Sequence, residues 1–223
     1  SLACMALTST PAVLSIWVSS MSVPGYQKWL RGIIFLALFS LLFALASQIF
    51  IIKPTVGNDS FSRMKTFYQQ PNHSLDVLYI GASTLRNGIS PLEIWGQYGF
   101  TGYTLSTGYQ NPLVNYYYLL EALKYQQPDV VVLDGSWLLK PVNVDAQESF
   151  LRLAVDPMRL SIEKLLLIRE IVEKSSFQTA SSYLFPLLRY HSRWKELSEK
   201  DWDIFRFQPT DRYKGQLLIY ESE

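Results

Sequence analysis

Apolar residues are concentrated at one place in the chain. Residues 33–52, IIFLALFSLLFALASQIFII, run for twenty positions without a charge, and only Ser40, Ser47 and Gln48 are polar. At about 1.5 Å per residue such a helix spans a ~30 Å hydrocarbon core, and an all-round apolar surface of this length suits lipid better than a protein core. The run is longer than the ~7 to 15 residues of a signal-peptide core and has no small-x-small cleavage site after it, so the pattern predicts an uncleaved transmembrane anchor. Lys28 and Arg31 precede the span while Lys53, Arg63 and Lys65 follow it, which gives only a slight preference for an inward N-terminus.

Beyond the span the pattern shortens. Residues 53–74 are polar and hold Pro54, Gly57 and Pro71, which predicts a linker with one short helix. Asp76–Ile80 (DVLYI) reads as a buried strand ending at Gly81-Ala82-Ser83-Thr84. Ser90-Pro91-Leu92-Glu93 is a capping box that opens a helix to about Tyr98, and Gly99 closes it. A second strand, Gly102–Ser106, is followed by a helix over Asn115–Gln126, stopped by Pro128. Asp129–Asp134 (DVVVLD) is a third strand whose valines suit a sheet buried on both faces. Strands recurring about every 26 residues with helices between them predict an α/β domain with a parallel sheet. Further helices are expected within 152–174 and 181–200, and QLLIY (216–220) reads as one more strand.

Charge sharpens this division. The whole chain has 20 Lys and Arg against 19 Asp and Glu, yet no acidic residue occurs before Asp59, and residues 1–53 hold only Lys28, Arg31 and Lys53. The N-terminal arm is therefore +3 and the remainder, with 17 basic and 19 acidic residues, is −2. Neither part has the basicity of a nucleic-acid binder, so no nucleic-acid partner is expected. Residues 1–27 carry no charge, and Met21 stands just before the basic residues, so 1–20 are expected to lie outside the working protein. The boundaries expected from the sequence are an apolar and basic segment (1–32), a transmembrane helix (33–52), a linker (53–74) and a domain (75–223). Cys4 is the single cysteine and His73 and His191 are the only histidines, so neither a disulfide nor a Cys- or His-rich metal site is expected, and no cofactor is implied.

In an open parallel sheet, ligands bind beyond the C-terminal ends of the strands. Three such ends carry candidate residues. Ser83 follows the first strand, where its hydroxyl is a candidate nucleophile; a serine bonded to its own turn is the plainer reading. Gly108 and Asn111 follow the second, as candidate oxyanion donors or an ordinary polar turn. Asp134 and Ser136 follow the third; an aspartyl phosphatase would want an Asp at the place of Ser136, so that chemistry is disfavoured.

Taken together, DVLYIGAST, SPLEIWGQYGFTGYTLS and NYYYLLEALKYQQPDVVVLD resemble the opening half of membrane-anchored SGNH-type (GDSL-like) proteins of bacterial cell envelopes. That broad group includes the D-alanine transfer protein and alginate O-acetylation proteins. The resemblance implies a partial SGNH-like (flavodoxin-like) parallel sheet with flanking helices, covering residues 70–140 best. It implies Ser83 as the acyl-bearing nucleophile, with its own N–H and that of Gly108 as oxyanion donors, an interaction worth ~3 to 4 kcal/mol per donor. It also implies a membrane-anchored, extracytoplasmic acyltransferase or esterase, with the lipid bilayer, a cell-surface glycan and an integral-membrane acyltransferase as partners. The departures are specific. Thr84 stands where close look-alikes often carry His, no G-x-N-D block follows the third strand, and no Asp-x-x-His block is present. His191, the one candidate base near the C-terminus, has Leu188 where that block would need Asp. The expectation is therefore a chain holding the N-terminal portion of such a protein, with little catalysis of its own, or a non-catalytic accessory or glycan-binding module.

Overall fold

A computed structural model describes residues 25–51, 60–137, 141–202 and 213–216 of the chain. Residues 1–20, Met21 and Cys4, and all of the expected 216–220 strand except Gln216, lie outside the described residues. Two compact units meet between Leu41 and Leu42.

Helix α1 (Gly25–Phe50) is long and apolar enough to span a membrane. It starts eight residues before the predicted run and stops two residues short of its end, because Lys28 and Arg31 are sound helix formers and the apolar pattern marks hydrophobic length rather than helix ends. Side chains from Ile33 to Leu42 are largely exposed, as a lipid-facing helix requires. In the last turns Ser47 is buried and its hydroxyl donates to the Phe43 carbonyl at 2.8 Å.

The second unit is built on three parallel strands, β1 (Val77–Gly81), β2 (Gly102–Ser106) and β3 (Val130–Leu133), in the order β2-β1-β3. Val77 pairs with Gly102 and Gly81 with Ser106 on one side; Val77 pairs with Val130 and Ile80 with Leu133 on the other. Because side chains alternate, Leu78, Ile80, Tyr103 and Leu105 share one face, while Tyr79, Gly81, Thr104 and Ser106 share the other.

The first face is the core. Helix α2 (Ser60–Phe67) packs on β2, and α5 (Pro112–Ala122) packs on β1, with α6 (Glu148–Val155) against α2 and α7 (Ile162–Lys174) against α5. Met64 and Phe67 are wholly enclosed, so the short helix expected in a linker is part of the core. The Tyr103 hydroxyl is within 2.6 Å of Thr66 Oγ1 and donates to the Arg63 carbonyl at 2.8 Å, holding α2 on the strand. The second face is covered by α3 (Ser83–Gly88) and α4 (Pro91–Tyr98). Ser90 caps α4 by accepting from Glu93 N, and Gly99, at φ +79°, closes it.

One expectation is corrected: β3 is not buried on both faces. Val130 and Leu133 are 51% and 52% exposed, because among the described elements no helix packs closely on this edge strand. The helix expected within 152–174 is α7, which Ser161 caps by accepting from Lys164 N, and the separate helix α6 precedes it, ended by Pro157.

Between these helices lies a charged cluster. Arg152 is buried, donates to Glu148 and Ser182, and stacks 4.1 Å from the Tyr183 ring centre, Tyr183 lying in α8 (Ala180–Leu184). Asp156 is half exposed as a residue, but its carboxyl is enclosed: Oδ2 accepts from the Tyr190 hydroxyl at 2.9 Å and Oδ1 has no partner. Burial pushes this carboxyl up to about 6, against the pull of Tyr190, Lys164 and Arg152.

Candidate functional site

The C-terminal ends of β1 and β3 form one local site. Gly81 is required there by crowding and not by its backbone angle, because a Cβ would stand 2.3 Å from Asp134 Cβ and 2.7 Å from Leu85 Cδ1. Ala82 then turns the chain, and Ser83 is the first residue of α3. Ser83 is half-buried, and its hydroxyl has no hydrogen-bond partner among the described residues.

Asp134 is anchored beside this turn. Its amide donates to the Ile80 carbonyl at 3.0 Å, extending the β1–β3 pairing. Its carboxylate accepts from the Thr84 hydroxyl, from Ala82 N at 3.3 Å and from Ser136 N at 2.8 Å. Partial burial raises the Asp134 carboxyl, but the hydrogen bonds from Thr84, Ser136 and Ala82 outweigh it and hold the group below the usual carboxylate range. The structure thus brings Ser83, Asp134 and Ser136 to one sheet edge. Asp134 fastens α3 to β3 through Thr84, and Ser136 contributes a backbone N–H.

Beyond the end of β2 the side chains of Gln110 and Asn111 are already engaged. Asn111 is buried as the cap of α5: its Oδ1 accepts from Val114 N at 3.1 Å and its Nδ2 donates to Gln147 at 2.9 Å. Gln110 is buried too, accepting from Thr107 N at 2.7 Å and donating to Asn115 at 2.8 Å. Gly108 lies against the Phe150 ring, which would stand 3.1 Å from a Cβ.

His191 is not part of this constellation. It opens the 3-10 turn 191–195, and its Nδ1 lies 3.1 Å from the Leu188 carbonyl, where the ring donates within its own segment. Nearby Arg193 donates to the Phe50 carbonyl and to Asp201, a structural employment for the basic residues of this stretch. Among the described residues no group of three or more His, Cys, Asp and Glu side chains is arranged to hold a metal ion.

Neither the tie of Thr84 to Asp134 nor the burial of Arg86 is legible in the sequence. Thr84 was legible only as a departure from the family pattern; Arg86 follows Ser83 by one helical turn, a spacing that places both on neighbouring faces of α3. A concavity of about 380 Å³ opens at the other end of the strands, between Pro71, Leu75, Pro91, Trp95, Gly102 and Lys214. Neither family models, curated protein sequences nor solved structures yield a match to this chain, so its fold and its site stand on their own geometry.

Proposed function

We propose that this is a membrane-anchored, extracytoplasmic SGNH-like protein whose Ser83 serves ester chemistry, O-acyl transfer or hydrolysis, on a cell-surface polysaccharide. The reading rests on one observation: Ser83 stands at the C-terminal end of the central strand, half exposed, with a hydroxyl that no described residue engages. Attack by that oxygen on an acyl carbonyl forms an ester at Ser83 and releases the acyl group's former alcohol, with the serine proton passing to a base. Asp134 is the acidic group beside it, and its oxygens are taken up by Thr84, Ala82 and Ser136. With its oxygens so engaged Asp134 is poorly placed to take that proton, and among the described residues no histidine is bonded to Ser83, so slow turnover is expected.

The test is incubation of the full chain in detergent micelles with p-nitrophenyl acetate, followed by peptide mass spectrometry. Acetyl on Ser83, lost in Ser83→Ala, supports the reading; equal p-nitrophenol release and no Ser83 adduct removes it.

A second reading, a glycan-binding accessory module for an integral-membrane acyltransferase, is favoured because neither histidine is bonded to Ser83 among the described residues. His191 is bonded to Leu188 within its own segment, and His73 is exposed in a turn at φ 54°, its backbone N–H on the Tyr125 carbonyl. The concavity beside Trp95, 57% exposed, supplies the aromatic face such binding uses. Glycan pull-down that survives Ser83→Ala and is lost in Trp95→Ala selects this reading.

A further inference from the structure

Arg86 is 8% exposed, and the one hydrogen bond of its guanidinium among the described residues is from Nε to the Asn87 side chain at 3.3 Å. Its Nη1 is enclosed with no acceptor, and no described carboxylate pairs with it. A guanidinium taken out of water without an opposite charge costs several kcal/mol, which is why buried arginines are ordinarily paired.

Helical geometry gives the flank of α3 on which Arg86 lies. With about 100° between successive residues of α3, Thr84 reaches Asp134 on the β3 side and Leu85 meets Gly81 beneath the helix. Arg86, one step further round, comes on the flank away from Thr84, and α3 packs on β2 as well as β1. On β2, and on the same sheet face as Gly81, Ser106 is 1% exposed and its Oγ is enclosed without a partner; Thr104 Oγ1, two residues earlier, is in the same condition. Asp134 is on the opposite flank of α3 with its oxygens committed, so it does not serve as the counter-charge.

We propose that Arg86 and the Ser106 hydroxyl form a recognition site for an oxyanion, a carboxylate or phosphate group carried by the molecule that reaches Ser83. The guanidinium supplies charge-assisted hydrogen bonds and Ser106 a neutral one. Assigning the anion to the molecule acylated or deacylated at Ser83 rests on the ester-chemistry reading; the anion site itself rests on Arg86 and Ser106.

The experiment is thermal denaturation of the full chain in detergent micelles, titrated with inorganic phosphate and separately with sodium acetate, at ionic strength held constant with sodium chloride. A saturable rise in midpoint of about 3 to 6 °C at tenfold the dissociation constant is expected for the anion that fits. The larger response of the two identifies phosphate or carboxylate as the group. Arg86→Gln abolishes the response, and Ser106→Ala, which keeps the guanidinium, weakens affinity about 3- to 10-fold. No response in the unaltered chain, an equal response in Arg86→Gln, or full affinity in Ser106→Ala overturns the proposal; if Arg86→Gln fails to fold, Ser106→Ala decides alone. Ser83→Ala retains the anion response. Loss of Ser83 acetylation with that response intact removes the ester reading only, and acetylation without any anion response removes this inference only.

Discussion

The Thr84 hydroxyl donates to the Asp134 carboxylate, joining the first turn of α3 to the end of β3 across fifty residues of sequence. Thr84→Val keeps the shape and removes the donor. It is expected to cost about 1 kcal/mol in denaturant unfolding. Because the folded-state Asp134 carboxyl is depressed, its contribution is present above the unfolded value and fades as pH falls through the folded one. Thr84→Val should therefore narrow the stability gap to the unaltered chain under acidic conditions, below about pH 4.

Gly81→Ala brings a methyl group to within 2.3 Å of Asp134 Cβ. Neither the strand nor the start of α3 has room to yield there, so a loss of about 2 to 4 kcal/mol is expected by chemical denaturation. Gly88→Ala, which meets nothing within 4 Å, serves as the control and should not share that loss.

Asp156 predicts the opposite pH behaviour. Its carboxyl is raised to about 6, so the folded state holds its proton more tightly than the unfolded chain does. Stability contributed by the protonated form is complete below about pH 4 and is lost as pH rises to about 6. Asp156→Asn should remove that slope and gain on the order of 1 to 3 kcal/mol at pH 7, read from unfolding midpoints across pH 4 to 7. The groups facing it, Tyr190, Lys164 and Arg152, remain in place.

The edge of β3 is the expected site of self-association. Val130→Lys with Leu133→Lys places charge on an exposed strand edge and should reduce light scattering of concentrated samples, with stability changed by less than about 0.5 kcal/mol.

Helix α1 is expected to hold the chain in the membrane fraction after alkaline extraction. Leu38→Arg combined with Leu41→Arg, each costing about 2.5 to 3.5 kcal/mol of insertion free energy at a helix centre, should release it.

How far the sequence reached is visible strand by strand. The run DVLYI located β1 to within a residue, GYTLS is β2 itself, and DVVVLD contains β3. Short β-branched and aromatic runs bounded by Gly, Asp and Pro have few alternatives. The capping box at Ser90 was equally direct. What was missed depends on contacts distant in sequence. The segment SFSRMKTF looks polar, and only the sheet above it explains why Met64 and Phe67 are enclosed. The helix after the second strand begins at Pro112 and not Asn115, because Asn111 acts as its cap. That employment, the turn contact of His191 and the tie between Thr84 and Asp134 were beyond the reach of spacing alone. The candidate site was legible as a set of strand ends, and the buried Arg86 was not, since burial of a charge leaves no periodic trace.

The strand order has a consequence for synthesis. β1, the earliest strand to be made, is central, and its two neighbours arrive only with residues 102–106 and 130–133. Until Leu133 has emerged, β1 holds an apolar run with an unpaired backbone on at least one side, and α3 has no Asp134 to fasten it. The described sheet therefore closes only after residue 133 has been made, and Ser83 acquires its setting when β3 pairs with β1.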